Sequence, residues 1–215
     1  MTRDETMAGR SALLQVLKRI GYPEDGSRLG DFTTTWRLLP ISALALVIGA
    51  LGAGIAWLLL RLIGLFTNLF FYLHWDTSLV TPSSAMLGPG IVIVPMIGGL
   101  IVGLMARYGS ERIRGHGIPE AIEAILIHGS QIQPRVAVLK PVSSAISIGS
   151  GGPFGAEGPI VMTGGALGSL IAQHFHLTSA ERRTLLVAGA AAGMTGVFGT
   201  PVAAVLLAVE LLLFE

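Results

Sequence analysis

The chain has 215 residues, 52% of them hydrophobic and 13% charged, with a formal net charge of +1 and a mean hydropathy of +0.71. That is too apolar and too poor in charge for an ordinary soluble domain, so the chain is assigned to a lipid bilayer. The scattered Lys and Arg build no concentrated basic face for a nucleic acid, and the lack of cysteine excludes disulfides and thiolate metal sites.

Residues 1–36 mix acids and bases, with no apolar run followed by a small-residue cleavage site, and are expected to form a cytoplasmic arm without a signal peptide. Within it, Leu13, Leu14, Val16, Leu17 and Ile20 recur at helical spacing, which predicts a short amphipathic helix over Ser11–Ile20. Packing beneath the membrane domain is favoured for it over a role as a lipid-surface anchor. Residues 37–215 form the expected transmembrane domain.

The first long apolar run extends from Pro40 to about Leu73 and is broken by one base, Arg61. It exceeds the roughly 20 residues that cross a bilayer, so it is expected to tilt or to project beyond the hydrocarbon core. A second run, from Gly90 to Ala106, is followed by Arg107, Arg112 and Arg114, whereas His74–Pro89 contains no Lys or Arg. The bias of basic residues toward the cytoplasm then places the N-terminus and the Arg107–Arg114 loop inside. Beyond Gly115 the apolar stretches shorten. The run from Pro159 to Ala172 reaches only about 21 Å against a hydrocarbon core of about 30 Å. Such helices are expected to start within the membrane around a polar site, because irregular backbone survives there only inside protein. The fold class is therefore an all-α membrane protein with tilted and broken, re-entrant helices.

Three segments share one design, in which glycine precedes a proline that opens an apolar helix. They are Gly115-His116-Gly117-Ile118-Pro119, Gly155-Ala156-Glu157-Gly158-Pro159 and Phe198-Gly199-Thr200-Pro201. Proline suits a helix start, where its missing N–H would be unpaired anyway, and glycine lets the preceding backbone turn toward a ligand. The helix starts at Pro119, Pro159 and Pro201 offer free N–H groups at positive dipole ends. If they converge, they make an anion site of partial charges, which binds weakly enough for an ion to leave again. Glu157, between two glycines, sits where such an anion would sit and is expected to compete with it for the same donors.

The motif GHGIPE at Gly115–Glu120 resembles the GSGIP signature of the CLC family of chloride channels and chloride/proton exchangers. GAEGP at Gly155–Pro159 resembles that family's G(K/R)EGP, and the stretch from Glu181 to Glu210, ERRTLLVAGAAAG onward, continues in its manner. The resemblance runs from about Pro40 to the end. It implies that Glu157 is a gating glutamate and that the backbone of Gly115, His116, Gly117, Ile118, Gly155, Ala156 and Gly158 lines the path of a transported chloride, with no cofactor. It also implies a homodimer with one pore per subunit, a multi-pass protein of the plasma membrane (in bacteria the inner membrane), and a first inverted repeat that requires a second. In that family the ion path also uses a tyrosine hydroxyl and a GxFxP loop from the later repeat; neither has a counterpart in these 215 residues, where Tyr22, Tyr72 and Tyr108 all lie early. The chain is accordingly expected to be a truncated, split or partial subunit, conducting only with its second repeat or not conducting at all.

Three departures from the family pattern bear on function. His116 replaces a serine, so either its imidazole donates to the anion or it points aside and the backbone does the work. Ala156 replaces a base and lowers the positive potential near the glutamate. Leu211 stands where many exchangers carry an inner acid, and since leucine relays no proton, a channel is favoured over an antiporter.

The remaining polar residues carry weaker signals. His174 and His176 are two apart, off one helical face and without a nearby acid, so no metal site is expected. Lys140 in its apolar run either attracts anions from a distance or snorkels to an interface. Arg182 and Arg183 are expected at the interface, and Gly99, Gly103, Gly189 and Gly193 on close-packed helix faces. Ser147 and Ser150 lack the base a nucleophilic serine needs, and their glycine-rich stretch lacks the GK[ST] ending of a nucleotide loop. An enzyme is therefore not expected.

Overall fold

A computed structural model describes residues 36–81, 88–175 and 177–213, and among these every regular element is helical. The expected arm and its amphipathic helix, apart from Trp36, lie outside the described residues, as does His176. The helices are α1 (Leu38–Thr67), α2 (Ile93–Tyr108), α3 (Ile118–Leu126), α4 (Pro134–Gly149), α5 (Glu157–Gln173), α6 (Ser179–Phe198) and α7 (Pro201–Leu212).

With 30 residues, α1 is about 45 Å long, which exceeds a bilayer core and agrees with a tilted span. It buries a narrow stripe, Ile48, Gly52, Ala56, Leu59 and Ile63, at the three- and four-residue spacing of one helix face. Its other faces expose large apolar side chains such as Leu46 and Trp57, as α2 exposes Met96 and Leu100. A soluble protein does not leave such surface to water. Counted with the helical turns that adjoin them, as Leu38–Tyr72 and Gly90–Tyr108, both helices are long and apolar enough to cross a membrane. Beyond Thr67 the helix relaxes into a π-helical turn, Asn68–Tyr72, and stops at left-handed Leu73. The buried Asn68 amide donates to the carbonyls of Gly64, Asp76 and Ser78, which folds the following loop back onto α1.

The core is built on α5, which is buried along most of its length. Small residues allow this: a Cβ on Gly164 would strike the carbonyl of Gly189, one on Gly168 that of Leu185, and one on Gly193 would lie 2.9 Å from the Ile160 oxygen. Backbones this close gain dense packing in a solvent that offers helices no hydrophobic drive to associate. The expected role of Gly189 and Gly193 is met. Gly99 and Gly103 differ, for neither meets an atom within 4 Å; the tight contact of α2 is made by Gly98 against Ser150. A shift of one residue turns the stripe by about 100°, which spacing alone does not resolve.

The start of α6 is set by its own sequence. The Thr178 hydroxyl accepts from the Glu181 amide at 3.3 Å and the Glu181 carboxylate accepts from the Thr178 amide at 2.7 Å, a reciprocal capping box. Arg37, at the head of α1, pairs with the same Glu181 at 3.2 Å.

Candidate functional site

The first glycine-proline segment turns with Gly115 at φ +97° and Gly117 at φ +110°, conformations that a side chain would strain. α3 follows from Ile118, with Pro119 at its second position. The turn is held from two sides. Lys140, 1% exposed on α4, donates from Nζ to the carbonyls of Ile113 at 3.0 Å and Gly115 at 2.8 Å. Glu120 accepts from the Gly117 amide at 2.6 Å. Lys140 therefore does not snorkel to an interface, contrary to that expectation, because two carbonyls of the turn replace the water around its ammonium; attraction of an anion from a distance needs no contact and is not decided by this burial.

The second segment opens α5 at Glu157, with Pro159 in the third helical position. This is tolerated because the first four N–H groups of a helix have no intrahelical acceptor. Glu157 is exposed, and among the described residues no hydrogen-bond donor meets its carboxylate. The two helix starts thus differ in charge balance. α3 is compensated by Glu120 on its Gly117 amide, while α5 has Glu157 at its first position as an unattached counter-charge.

These two segments meet. A Cβ on Gly117 would run into the carbonyl of Gly158, and one on Gly158 would run into the carbonyl of His116 and lie 2.7 Å from the His116 Nδ1. Two glycines facing each other are what allow the ends of α3 and α5 to touch. Beside the junction lies a cavity of about 340 Å³ lined by Gly115, His116, Gly155 and Pro159, by Arg114, and by Ser143, Ser144 and Ser147 of α4. Gly117, Ile118, Ala156 and Gly158 do not line it. Gly117 and Gly158 are buried in the contact that forms its edge.

The third segment behaves differently. α7 starts at Pro201, but Gly199, Thr200 and Pro201 are exposed, and a Cβ on Gly199 would meet nothing within 4 Å. Two of the three expected helix starts converge, therefore, and the third stands open. α7 packs through Ala204, Ala208 and Leu212, a face set one turn and more away from its start.

A second cavity of about 220 Å³ is lined by Glu111, Arg112, Arg114, Glu120, Glu123 and His128. Arg114 lines both spaces. Arg112 lies 3.3 Å from the His128 Nε2. Sequence reasoning did not single out Glu120, Arg114, Ser143 or Ser144. The signal for Glu120 was present, an acid two residues inside a helix that starts after Gly117, in the position of a capping acid. The serines carried none.

Residues 98–215 match a family model described as voltage gated chloride channel. Among curated relatives, a ClcB-like chloride channel protein of Ralstonia nicotianae is 34% identical over 140 residues, 63% of this chain and 33% of that protein. The H(+)/Cl(-) exchange transporter ClcA of Salmonella arizonae is 34% identical over 136 residues, 61% of this chain and 28% of its own length. The crystal structure of a slow cyanobacterial Cl-/H+ antiporter aligns with 82% of this chain and 40% of its own, at a TM-score of 0.55 and 26% identity. The chain spans about a third of the length of the curated relatives it matches.

Proposed function

The chain belongs to the voltage gated chloride channel family, and on that premise we propose that it supplies the half-site of a chloride pathway in which Glu157 is the gate. The observation that carries this reading is the contact between Gly117 and Gly158. It sets two helix starts side by side next to a cavity whose polar lining includes Arg114 and three serines, with the unattached carboxylate of Glu157, outside that lining, at the first position of α5. An anion there is held by peptide dipoles and N–H groups, and Glu157 displaces it from the same donors. Gly115, His116 and Gly155 line the path, while Gly117, Ile118, Ala156 and Gly158 form its frame. Transport needs no cofactor and no covalent step.

The matched portion is proposed as the first of two inverted repeats, in a homodimer of the bacterial inner membrane with its N-terminus in the cytoplasm. The absence of Lys and Arg from His74–Pro89, against Arg107, Arg112 and Arg114 on the other side, supports that orientation. Leu211 favours passive conduction. Proton-coupled exchange is the second reading, favoured by the names of the ClcA relative and the cyanobacterial structure.

The test is chloride efflux from proteoliposomes, with the chain alone and together with the later portion of a ClcA-type relative. Glu157→Ala is expected to raise chloride flux and flatten its pH response. Unchanged flux at every pH removes Glu157 from the gate. Proton uptake that accompanies chloride efflux selects exchange, and a chain that binds chloride yet conducts only with the added portion is a half subunit.

A further inference from the structure

We propose that Lys140 and Glu120 are positioning residues that clamp the Gly115–Gly117 turn and so aim the His116 amide N–H into the 340 Å³ cavity. The inference rests on the reading of that cavity as an anion site. It deepens that reading by assigning the donor of the α3 side and the groups that orient it.

The peptide between Gly115 and His116 is planar and trans, as are all peptides among the described residues, so its carbonyl and its N–H point in opposite directions. The Gly115 carbonyl points at the Lys140 ammonium, 2.8 Å away. The His116 N–H therefore points away from that ammonium, and among the described residues no acceptor meets it. Gly115 and His116 line the cavity, whereas Lys140 does not. A second bond, from Lys140 to the Ile113 carbonyl at 3.0 Å, fixes the near side of the turn against rotation about Arg114. At the far side Glu120 occupies the Gly117 amide at 2.6 Å, and its carboxylate lies against Gly115.

The consequence for donor use is specific. The Gly117 N–H, which the glycine-proline pattern offers to an anion, is taken by Glu120. The His116 N–H becomes the donor of the α3 side. A buried cation thus serves the site without touching the ion: it holds carbonyls that would otherwise be free to swing toward the cavity and repel an anion. Fixing two polar groups with one ammonium also satisfies a charge that burial would otherwise penalise heavily.

The test uses the purified full chain in detergent and two readouts, chloride affinity by calorimetry and amide hydrogen exchange over residues 113–118. Lys140→Met keeps the apolar stem and removes the donors. It is expected to weaken chloride binding about tenfold and to speed exchange over 113–118 with or without chloride. Lys140→Arg keeps two donors and is expected to restore affinity to within about threefold of the wild type. Adding Glu120→Gln to Lys140→Met is expected to cost less than the sum of the two single changes, since both act on one turn.

A folded Lys140→Met chain that binds chloride like the wild type overturns the clamp. So does weakened binding with unchanged exchange, which would mean attraction at a distance. Should Lys140→Met fail to fold, Glu120→Gln carries the same two readouts, and no change in either overturns the proposal. If the wild-type chain binds no chloride, the anion-site reading fails by itself, and the exchange data alone decide whether the clamp exists.

Discussion

Gly158→Ala is the sharpest probe of the junction between α3 and α5. The added methyl would lie 2.8 Å from the His116 carbonyl carbon and 2.7 Å from the His116 Nδ1, and closer still to the carbonyl oxygen. Ordinary carbon contacts begin near about 3.5 Å, so the two backbones must part by roughly 0.7 Å at the carbonyl carbon, and by more at its oxygen. The turn has little room to yield, since Lys140 and Glu120 hold it on both sides. Overpacking of this kind costs about 1–3 kcal/mol, and each kcal/mol lowers the melting temperature of a domain of this size by roughly 2–4 °C. The functional effect is expected to exceed the effect on stability, because an anion bridging the two helix starts loses one of them. Chloride affinity by calorimetry and melting by intrinsic fluorescence measure both. Gly164→Ala is the control. Its methyl would strike the Gly189 carbonyl, a contact between α5 and α6 away from the cavity, and it is expected to lower the melting point without changing chloride affinity. If Gly158→Ala binds chloride normally, or if both variants weaken binding alike, the junction is not the site.

Three further outcomes follow from other parts of the structure. His116→Ser replaces the ring against Gly158 with the hydroxyl common in the family. It is expected to enlarge the cavity and change the order of flux among fluoride, chloride, bromide and nitrate, and an unchanged order would place the ring outside the selective step. In the loop after α1, the Ser78 hydroxyl and then the Ser78 amide hold the exposed Asp76 carboxyl below its ordinary value. Because the folded value is depressed, the stabilisation is full above the ordinary carboxylate value and disappears as pH falls through the depressed one; Ser78→Ala is expected to move the Asp76 titration upward in an NMR measurement, and no movement would refute the assignment. Finally, the chain has no cysteine, so single cysteines report topology cleanly. Thr81→Cys is expected to react with an impermeant maleimide added to intact spheroplasts and Glu111→Cys only after permeabilisation, and the reverse pattern would invert the proposed orientation.

The glycine-proline signals were legible as local features, and the structure places helix starts at all three of them. Their exact proline positions differ: second in α3, third in α5 and first in α7. A helix start leaves four amides unpaired, so proline has several permitted places and the pattern does not select one. The side-chain partners in the site were less legible. Lys140 read as an isolated charge in an apolar run, yet its partners are carbonyls 25 and 27 residues earlier in the chain, and backbone acceptors leave no trace in composition.

From the sequence by itself came the bilayer assignment, the long tilted first helix, the short broken helices after Gly115 and the family resemblance through Glu157. All of these rest on composition and on motifs contiguous along the chain. The tertiary structure decided which helix starts meet, joining Gly117 to Gly158 and leaving Gly199 to Pro201 open. It also made Gly98, in place of Gly99 or Gly103, the contact residue of α2. Those choices depend on how α5 and its neighbours pack, and the close approach of two backbones requires small residues on both partners at once, a condition no single stretch of sequence can state.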